Sequence, residues 1–457
     1  MITTEYSVAG PADSHTAHQY KEKMKMILNA CQAAVNTISQ IYRQERFVRI
    51  NLNLDNINYN TQPDRSSYRA KAERIVNDLF SCEEEFNGWV TWPLDGAREI
   101  LPAIENEASR IRELCDVLVV IGIGGSYLGT AAILEALGGS REGCPEVVFA
   151  GNNLSGAYHS RLMKHIAGKE ICLCVVSKSG ITMESQIAFS ILKDVIVRRY
   201  GERANERIVA VTDPEKGILR EEAEREGYAV FEIPQNIGGR YSAFTPAILL
   251  PLAAAGIEIN ELVNGAAACA ASDFIRNEGL DYALSRFELM NLGKQVEVFE
   301  YYNPYYRSIG EWLKQLFAES EGKEGKGILP VSLTLSTDLH SIGQFLQEGS
   351  RIFFETIINV RDWADDVVVP ENAGGVYAGR SLNEINALAL QGVRAAHSKA
   401  GIPIIQIDVE RNDEYCLGQL MYFMMITTAV TGKLMGVDPF TQPGVEAYKA
   451  EIRELLG

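Results

Sequence analysis

The 457-residue sequence lacks the signatures of a metal, disulfide or membrane protein. Its six histidines and eight cysteines are scattered, with no C-x-x-C, H-x-H, H-E-x-x-H or D-x-D cluster, so no metal site is predicted. Scattered cysteines suit a reducing cytosol, and no apolar run reaches the ~18 residues of a membrane span. The N-terminus has neither the basic start nor the apolar core of a signal peptide. We therefore expect a cytoplasmic protein with no membrane partner.

Positive charge is also scarce. Lys and Arg number 43 against 60 Asp and Glu, which gives a formal net charge of −17. This balance argues against nucleic acid as the main partner, although a small site for an anionic substrate can still be locally positive. At this length two or three domains are expected.

From Asp116 onward, short apolar runs rich in Val and Ile alternate with helical periods. The alternation predicts an α/β fold with mostly parallel sheets and helices on both faces. The stretch 51–67 is turn-rich and is predicted as a loop between helical segments at 18–43 and 67–80. The predicted strands are 117–121, 146–150, 171–176, 207–211 and 229–233 in a first set, and 295–300, 328–334, 353–360 and 403–408 in a second.

Four regions follow from this pattern. They are a helical N-terminal region at 1–110, a first α/β domain at 111–255, a second α/β domain at 256–435, and a C-terminal turn and helix at 436–457. In parallel sheets ligands bind beyond the carboxyl ends of the strands. The loops after 117–121 and after 171–176 are therefore the first places to look for a site.

The loop after the first predicted strand reads "IGIGGSYLGT", residues 121–130. Glycines let backbone N–H groups approach a phosphate at a helix N-terminus. The dinucleotide template fails because Tyr127 stands in its third glycine position, and the P-loop template fails because Thr130 and Ala131 follow Gly129. On these residues alone, a phosphate site and a tight strand-to-helix turn remain equally open.

The loop after 171–176 reads "SKSGITMES" and carries three hydroxyls in six residues, those of Ser177, Ser179 and Thr182. Hydroxyl donors before a helix suit a phosphate monoester, which presents three acceptor oxygens. The alternative is a helix cap made by Ser179 or Thr182. Because two such loops share one edge of the sheet, phosphate binding is favoured.

Other charged and polar residues carry weaker signals. Arg240, after Gly238 and Gly239, offers a fixed cation, but loop arginines commonly pair with a structural carboxylate. Taken alone, Glu319 at a helix end, His340 in an irregular segment and Lys449 on the terminal helix each have an ordinary structural explanation. Their chemistry becomes specific only in combination.

Six motifs provide that combination: "GIGGSYLG", "SKSG-x-T-x-E", "GGRYS", "FAESEGK", "STDLHSIGQ" and "QPGVEAYK". They occur in the order expected of glucose-6-phosphate isomerase, and from Val117 to the C-terminus the chain resembles the shorter bacterial form of that family. Residues 1–80 do not match the short start of that form. The resemblance implies two sugar-isomerase (SIS) α/β domains, a homodimer, no metal or other cofactor, and interconversion of glucose 6-phosphate and fructose 6-phosphate.

The resemblance also implies residue roles. Glu319 matches the base that moves a proton between C2 and C1, and Arg240 and Gln442 match residues near the sugar. His340 and Lys449 match groups that assist ring opening, with His340 contributed by the neighbouring subunit. The residues implied at the substrate and its phosphate are Gly125, Ser126, Ser177, Lys178, Ser179, Thr182 and Gly239.

These roles agree with the chemistry of the residue types. A carboxylate placed over two carbons can take and return a proton next to a carbonyl, and a guanidinium can stabilise the enediolate that forms. Three positions depart from the family pattern. Ile181 stands in place of a threonine, Pro246 in place of a small residue and Thr441 in place of an acidic residue. None of these changes removes a catalytic group; they bear on phosphate affinity and sugar selectivity.

Three other functions remain as alternatives. One is a related isomerase acting on mannose 6-phosphate or an amino-sugar phosphate. Another is a non-catalytic SIS sensor of sugar phosphates, which would need the serine loops but not Glu319, His340 and Lys449 together. The third is a nucleotide-dependent oxidoreductase, disfavoured by the missing third glycine.

Overall fold

The computed structural model describes residues 47–57, 65–81 and 84–456, so the helix predicted at 18–43 lies outside the described residues. Ten strands lie in these ranges: β1 (Ile50–Asn53), β2 (Val117–Ile121), β3 (Glu146–Ala150), β4 (Ile171–Val176), β5 (Ile208–Thr212), β6 (Ala229–Glu232), β7 (Val296–Tyr301), β8 (Leu329–Thr334), β9 (Phe353–Asp362) and β10 (Ile404–Arg411). The α-helices of the same ranges are α1 (Arg65–Ser81), α2 (Gly96–Leu114), α3 (Leu128–Ala136), α4 (Gly156–His165), α5 (Met183–Tyr200), α6 (Ile218–Glu226), α7 (Pro246–Ala254), α8 (Ile259–Ala271), α9 (Leu280–Asn291), α10 (Arg307–Glu321), α11 (Gly343–Glu348), α12 (Leu382–Lys399), α13 (Glu414–Leu434) and α14 (Val445–Leu456).

The first sheet is parallel throughout, with strand order β3-β2-β4-β5-β6. Every residue of β2 and β4 is buried, which explains why both strands read as continuous apolar runs. After β2 the chain adds β3 on one side and then β4 on the other. The carboxyl ends of β2 and β4 therefore flank a topological switch point, where open α/β sheets bind their ligands.

The second sheet has strand order β1-β10-β9-β7-β8. Its four later strands are parallel, and β1 joins the edge antiparallel, with Ile50 opposite Val409. The prediction of a loop over 51–67 is therefore wrong at its start, since residues 51–53 are part of this strand. The polar sequence Ile-Asn-Leu-Asn suits an edge strand, of which only one side reaches the core.

The predicted α/β class with mostly parallel sheets is confirmed, and each of the nine predicted strands is present within a few residues of its expected bounds. The boundaries proposed near residues 110, 255 and 435 stay predictions. Among the helices of the described ranges, none is both long and apolar enough to cross a membrane.

Helix α10 positions the residues at its C-terminal end. Its buried side chains recur at helical spacing, and they pack against the second sheet, α3 and α13. Gln315 and Glu319 lie one turn apart beside this buried stripe and are only partly buried. The amphipathic pattern of α10 therefore leaves Glu319 accessible, whereas Ser320 faces the interior.

Candidate active site

The loop after β2, here called the glycine loop (Gly122–Ser126), lies directly against the loop that carries Arg240. A Cβ atom added to Gly125 would collide with the carbonyl oxygen of Gly239, so only glycine permits this approach. The hydroxyl of Ser242 points at both loops, with Oγ 3.1 Å from the carbonyl oxygen of Gly125 and 2.6 Å from that of Gly239. The first and third motifs of the sequence thus form one structural unit.

The loop after β4, here called the hydroxyl loop (residues 177–182), keeps its hydroxyl protons available. Oγ of Ser177 accepts a hydrogen bond from the N–H of Gly180 at 3.1 Å, and Oγ of Ser179 accepts one from the N–H of Ile181 at 3.4 Å. A hydroxyl that accepts in this way can still donate its own proton to a ligand. Thr182 is the N-cap residue of α5, but its side chain makes no capping hydrogen bond.

Lys178 has a different position from its neighbours in the hydroxyl loop. Its ammonium donates to the carbonyl oxygens of Pro234 at 3.3 Å, Gln235 at 2.7 Å and Ile237 at 3.3 Å. Burial lowers the pKa of this lysine. The ammonium therefore fastens the hydroxyl loop to the segment that leads into Gly238, Gly239 and Arg240.

Arg240 is the electrostatic centre of the site. It is only 4% exposed, and its guanidinium donates to Oγ of Ser320 at 2.8 Å and to Oε1 of Gln442 at 2.8 Å. It also donates to the carbonyl oxygens of Pro439 and Thr441. Arg240 therefore connects its own loop, which follows β6, to α10 and to the turn before α14. Four hydrogen-bond acceptors fix the orientation of its planar guanidinium.

Glu319 is the carboxylate beside this cation. Its Oε2 lies 3.6 Å from Nη1 of Arg240, and its side chain is 35% exposed, so a ligand can reach it. Nε2 of Gln315 donates to the same oxygen at 3.4 Å. A Cβ atom on Gly124 would stand 2.6 Å from Nε2 of Gln315, so this amide links the glycine loop to the carboxylate.

The positive charge of Arg240 also affects the pKa of Lys323. The ammonium of Lys323 donates to the carbonyl oxygens of Ser320 at 2.7 Å and Asp438 at 2.6 Å. Burial and, secondarily, the positive charge of Arg240 lower the pKa of Lys323 to about 8. Arg240 and Lys323 thus place two cations beside the carboxylates of Glu319, Glu321 and Asp438.

His340 and Lys449 lie apart from this cluster. His340 ends a short 3-10 helix after β8 and is exposed. Lys449 is on α14, none of whose described residues is buried, and its ammonium pairs with Glu446 at 2.9 Å. Within the described ranges no recorded hydrogen bond or ion pair joins either residue to Arg240 or Glu319.

Sequence reasoning missed two side chains that complete the cluster. Gln315 could have been found from its position one turn before Glu319 on the same helix. The hydroxyl of Tyr241 lies 3.0 Å from Oγ of Ser320, and its ring stacks on Trp89 with centroids 4.6 Å apart. No local sequence signal indicates that stacking, because Trp89 is far away along the chain.

The three departures from the family pattern have plain structural descriptions. Ile181 is 64% exposed. Pro246 occupies the first turn of α7, where its missing N–H is not needed. Thr441 contributes its carbonyl oxygen to Arg240, a contact that any residue type can make.

Comparisons with known proteins identify the family of the chain. The family model for Phosphoglucose isomerase matches residues 104–357. The chain is 44% identical over 416 residues to a glucose-6-phosphate isomerase of Symbiobacterium thermophilum, covering 86% of this chain and 93% of that protein. It is 43% identical over 387 residues to one of Lactobacillus helveticus, covering 81% and 87%.

Solved structures show the same fold. A hypothetical protein from Thermus thermophilus has a TM-score of 0.79 at 28% identity, covering 86% of this chain and 95% of that one. A glucose-6-phosphate isomerase from Chlamydia trachomatis has a TM-score of 0.77 at 20% identity, covering 90% and 88%. The resemblance of the motifs is confirmed: the chain belongs to the phosphoglucose isomerase family.

Proposed function

We propose that this chain is an enzyme that interconverts glucose 6-phosphate and fructose 6-phosphate without a cofactor. The observation that carries the proposal is the accessible carboxylate of Glu319, 3.6 Å from the buried guanidinium of Arg240. Aldose–ketose isomerisation needs a base that moves a proton between two carbons and a fixed cation for the enediolate. A sugar-phosphate sensor needs neither group.

The phosphate end of the substrate belongs at the switch point of the first sheet. Ser126 of the glycine loop and Ser177, Ser179 and Thr182 of the hydroxyl loop follow the adjacent strands β2 and β4. Their hydroxyl protons can donate to phosphate oxygens, and the N-terminus of α5 favours a negative charge there. Binding energy from the phosphate then holds the sugar over Glu319.

The chemistry proceeds in three steps. The sugar ring opens when a proton leaves the C1 hydroxyl and another reaches O5. Glu319 then removes the proton on C2 of the aldose, which leaves an enediolate whose negative oxygen Arg240 stabilises. A proton then passes from the C2 hydroxyl to O1, the protonated Glu319 returns its proton to C1, and the ketose forms with no net change in the enzyme.

Ring opening is assigned to His340 and Lys449, and the active unit is a homodimer in which each His340 serves the site of the neighbouring subunit. The exposure of both residues in the single chain supports this assignment, since an exposed His340 is available to another subunit. The proposal places the enzyme in the cytoplasm, where the six described cysteines, all free, would stay reduced.

A coupled assay for glucose 6-phosphate tests the activity. Purified protein supplied with fructose 6-phosphate should produce glucose 6-phosphate, with mannose 6-phosphate and amino-sugar phosphates turned over far more slowly. Glu319→Gln serves as the inactive control because it preserves the shape of the side chain. Faster turnover of mannose 6-phosphate would reassign the substrate, and the absence of turnover on every sugar phosphate would favour a sensor.

Mixed dimers test the sharing of His340. Glu319→Gln and His340→Ala homodimers should each be nearly inactive. In dimers refolded from an equal mixture, half the molecules are mixed, and each mixed dimer carries both defects in one site and none in the other. About a quarter of all sites should therefore recover activity. If mixed dimers confirmed by mass spectrometry stay inactive, His340 acts within its own chain or not at all.

A further inference from the structure

Two buried carboxylates share the face of the second sheet that α12 covers. Val298 of β7 pairs with Glu355 of β9, so Glu300, two residues further along β7, projects to the same side as Glu355. Ile357 of that face packs with Leu390 of α12. His397, in the last turn of α12, completes the group, and one ligating atom from each of the three residues lies within 4.8 Å of the others.

These three side chains are buried without adequate partners. Glu300 and Glu355 are 0% exposed and His397 is 3% exposed. Neither oxygen of either carboxylate makes a hydrogen bond in the part of the chain that the structure describes. Nδ1 of His397 lies 2.8 Å from Oε1 of Glu355, an ion-pair distance, but the angles do not form a hydrogen bond.

The other face of β7 shows what a satisfied buried carboxylate looks like in this protein. Glu297 receives hydrogen bonds from Arg286 at 2.6 Å, the hydroxyl of Tyr282 at 2.7 Å and the hydroxyl of Thr356 at 2.6 Å. Arg286 also binds Glu321. On that face a fully buried guanidinium balances two carboxylates, whereas on the α12 face no lysine or arginine among the described residues pairs with Glu300 or Glu355.

We infer that Glu300, Glu355 and His397 bind one divalent transition-metal ion of the Zn²⁺ or Mn²⁺ class. Imidazole and carboxylate are ligands that these ions accept, and Zn²⁺ commonly takes three protein ligands. Ligands on bonds of about 2.2 Å stand about 3.6 Å apart around a four-coordinate tetrahedral ion, so side-chain movements of about 1 Å bring the three atoms into range. The buried hydroxyl of Tyr302 also makes no hydrogen bond among the described residues, and a water molecule can fill the fourth position of the ion.

The role of this ion is structural. It ties the C-terminal turn of α12 to β7 and β9 and supplies the positive charge that Arg286 supplies on the opposite face. Glu319 belongs to α10, whose Phe317 packs on Phe299 of that opposite face. Metal binding on the α12 face therefore leaves the proton transfer untouched, and the inference holds whether or not the proposed isomerase activity does.

Metal content and thermal unfolding of the full chain test the inference. Protein dialysed against EDTA and re-dialysed with Zn²⁺ should retain about one Zn²⁺ per chain more than the Glu300→Gln variant does after gel filtration. At Zn²⁺ a hundredfold above its Kd the melting temperature of the native protein should rise by roughly 2–4 °C. Substitution with Co²⁺ should give the visible absorption of a four-coordinate ion, which surface binding does not produce.

Two variants complete the test. Glu300→Gln should abolish the Zn²⁺-dependent rise in melting temperature, whereas Glu410→Gln, on the rim of β10, should keep it. Because the native protein alone gives the stoichiometry and the cobalt spectrum, a variant that fails to fold does not weaken the test. A native protein without the spectrum, or Glu300→Gln binding Zn²⁺ as well as the native chain, would overturn the inference in favour of carboxyl groups that share a proton.

Discussion

The hydroxyl loop lies partly exposed at the carboxyl end of β4. Arg240 is instead buried and donates hydrogen bonds to four oxygen atoms of α10 and the C-terminal turn. The loop hydroxyls accept bonds from their own backbone and keep their protons for a ligand. The guanidinium, in contrast, is already oriented before any ligand arrives. A partly exposed loop with available hydroxyl protons suits the binding of a phosphate, and a preorganised cation suits the stabilisation of a charge that develops during the reaction.

This difference separates two kinds of kinetic effect. Changes around Arg240 and Glu319 should lower kcat, and changes in the hydroxyl loop should raise KM. Substitutions with the reverse kinetic effects would contradict this division of roles between the two regions.

The largest effect is expected for Glu319→Gln. The amide has the size of the carboxylate but cannot accept the C2 proton, so kcat should fall roughly 10²–10⁴-fold, the range for loss of a general base. The KM for fructose 6-phosphate should change little. Steady-state kinetics with the coupled assay measure both, and a kcat within threefold of the native value would show that another group is the base.

Arg240→Lys should come next. A lysine keeps the charge but cannot reach Ser320, Gln442 and two carbonyl oxygens at once, so kcat should fall roughly 10²–10³-fold, as for loss of one preorganised donor. Lys314→Arg, an exposed exchange on α10, is a matched control that should behave as the native enzyme. A rise in KM with kcat unchanged would place Arg240 at the phosphate instead.

The double variant Ser177→Ala, Thr182→Val removes two hydroxyl donors. Each hydrogen bond to a charged group is worth roughly 1.5–3 kcal/mol, and at the lower end the KM should rise about a hundredfold while kcat is nearly kept. The matched control is Ser190→Ala on α5, outside the hydroxyl loop. An unchanged KM would mean that the hydroxyls only shape the loop.

Lys178→Met should have the smallest effect on the kinetics. Its ammonium is committed to three carbonyl oxygens, so its loss should lower the free energy of unfolding by about 1–3 kcal/mol and raise KM less than the double variant does. Chemical denaturation measures the loss of stability and the coupled assay measures the rise in KM, so the two effects can be separated. A large rise in KM with unchanged stability would assign Lys178 to the phosphate directly.

The strands of the first sheet were predictable because buried parallel strands read as unbroken apolar runs, as in 117–121 and 171–176. The strand β1 was not predictable, because its partner β10 lies more than 350 residues away and because its apolar residues alternate with asparagines. Order along the chain and resemblance to a family indicated Arg240 and Glu319. Their contact depends on the packing of α10 against the first sheet's loops, which no local pattern contains.

The same limit applies to the buried group on the α12 face. Glu300, Glu355 and His397 lack any metal-ligand spacing in the sequence, and only the pairing of β7 with β9 under α12 brings them together. The sequence contains no metal-ligand motif. A search for motifs, however, does not detect residues that the pairing of distant strands brings together.

Proton exchange in deuterated water tests the central claim most directly. If Glu319 carries the proton between C2 and C1, the native enzyme equilibrated with fructose 6-phosphate should place deuterium at C2 of glucose 6-phosphate, visible as loss of the C2 proton signal in NMR. Glu319→Gln should show almost no exchange at equal concentration. Deuterium incorporation by Glu319→Gln at the native rate would contradict the assignment of Glu319 as the base.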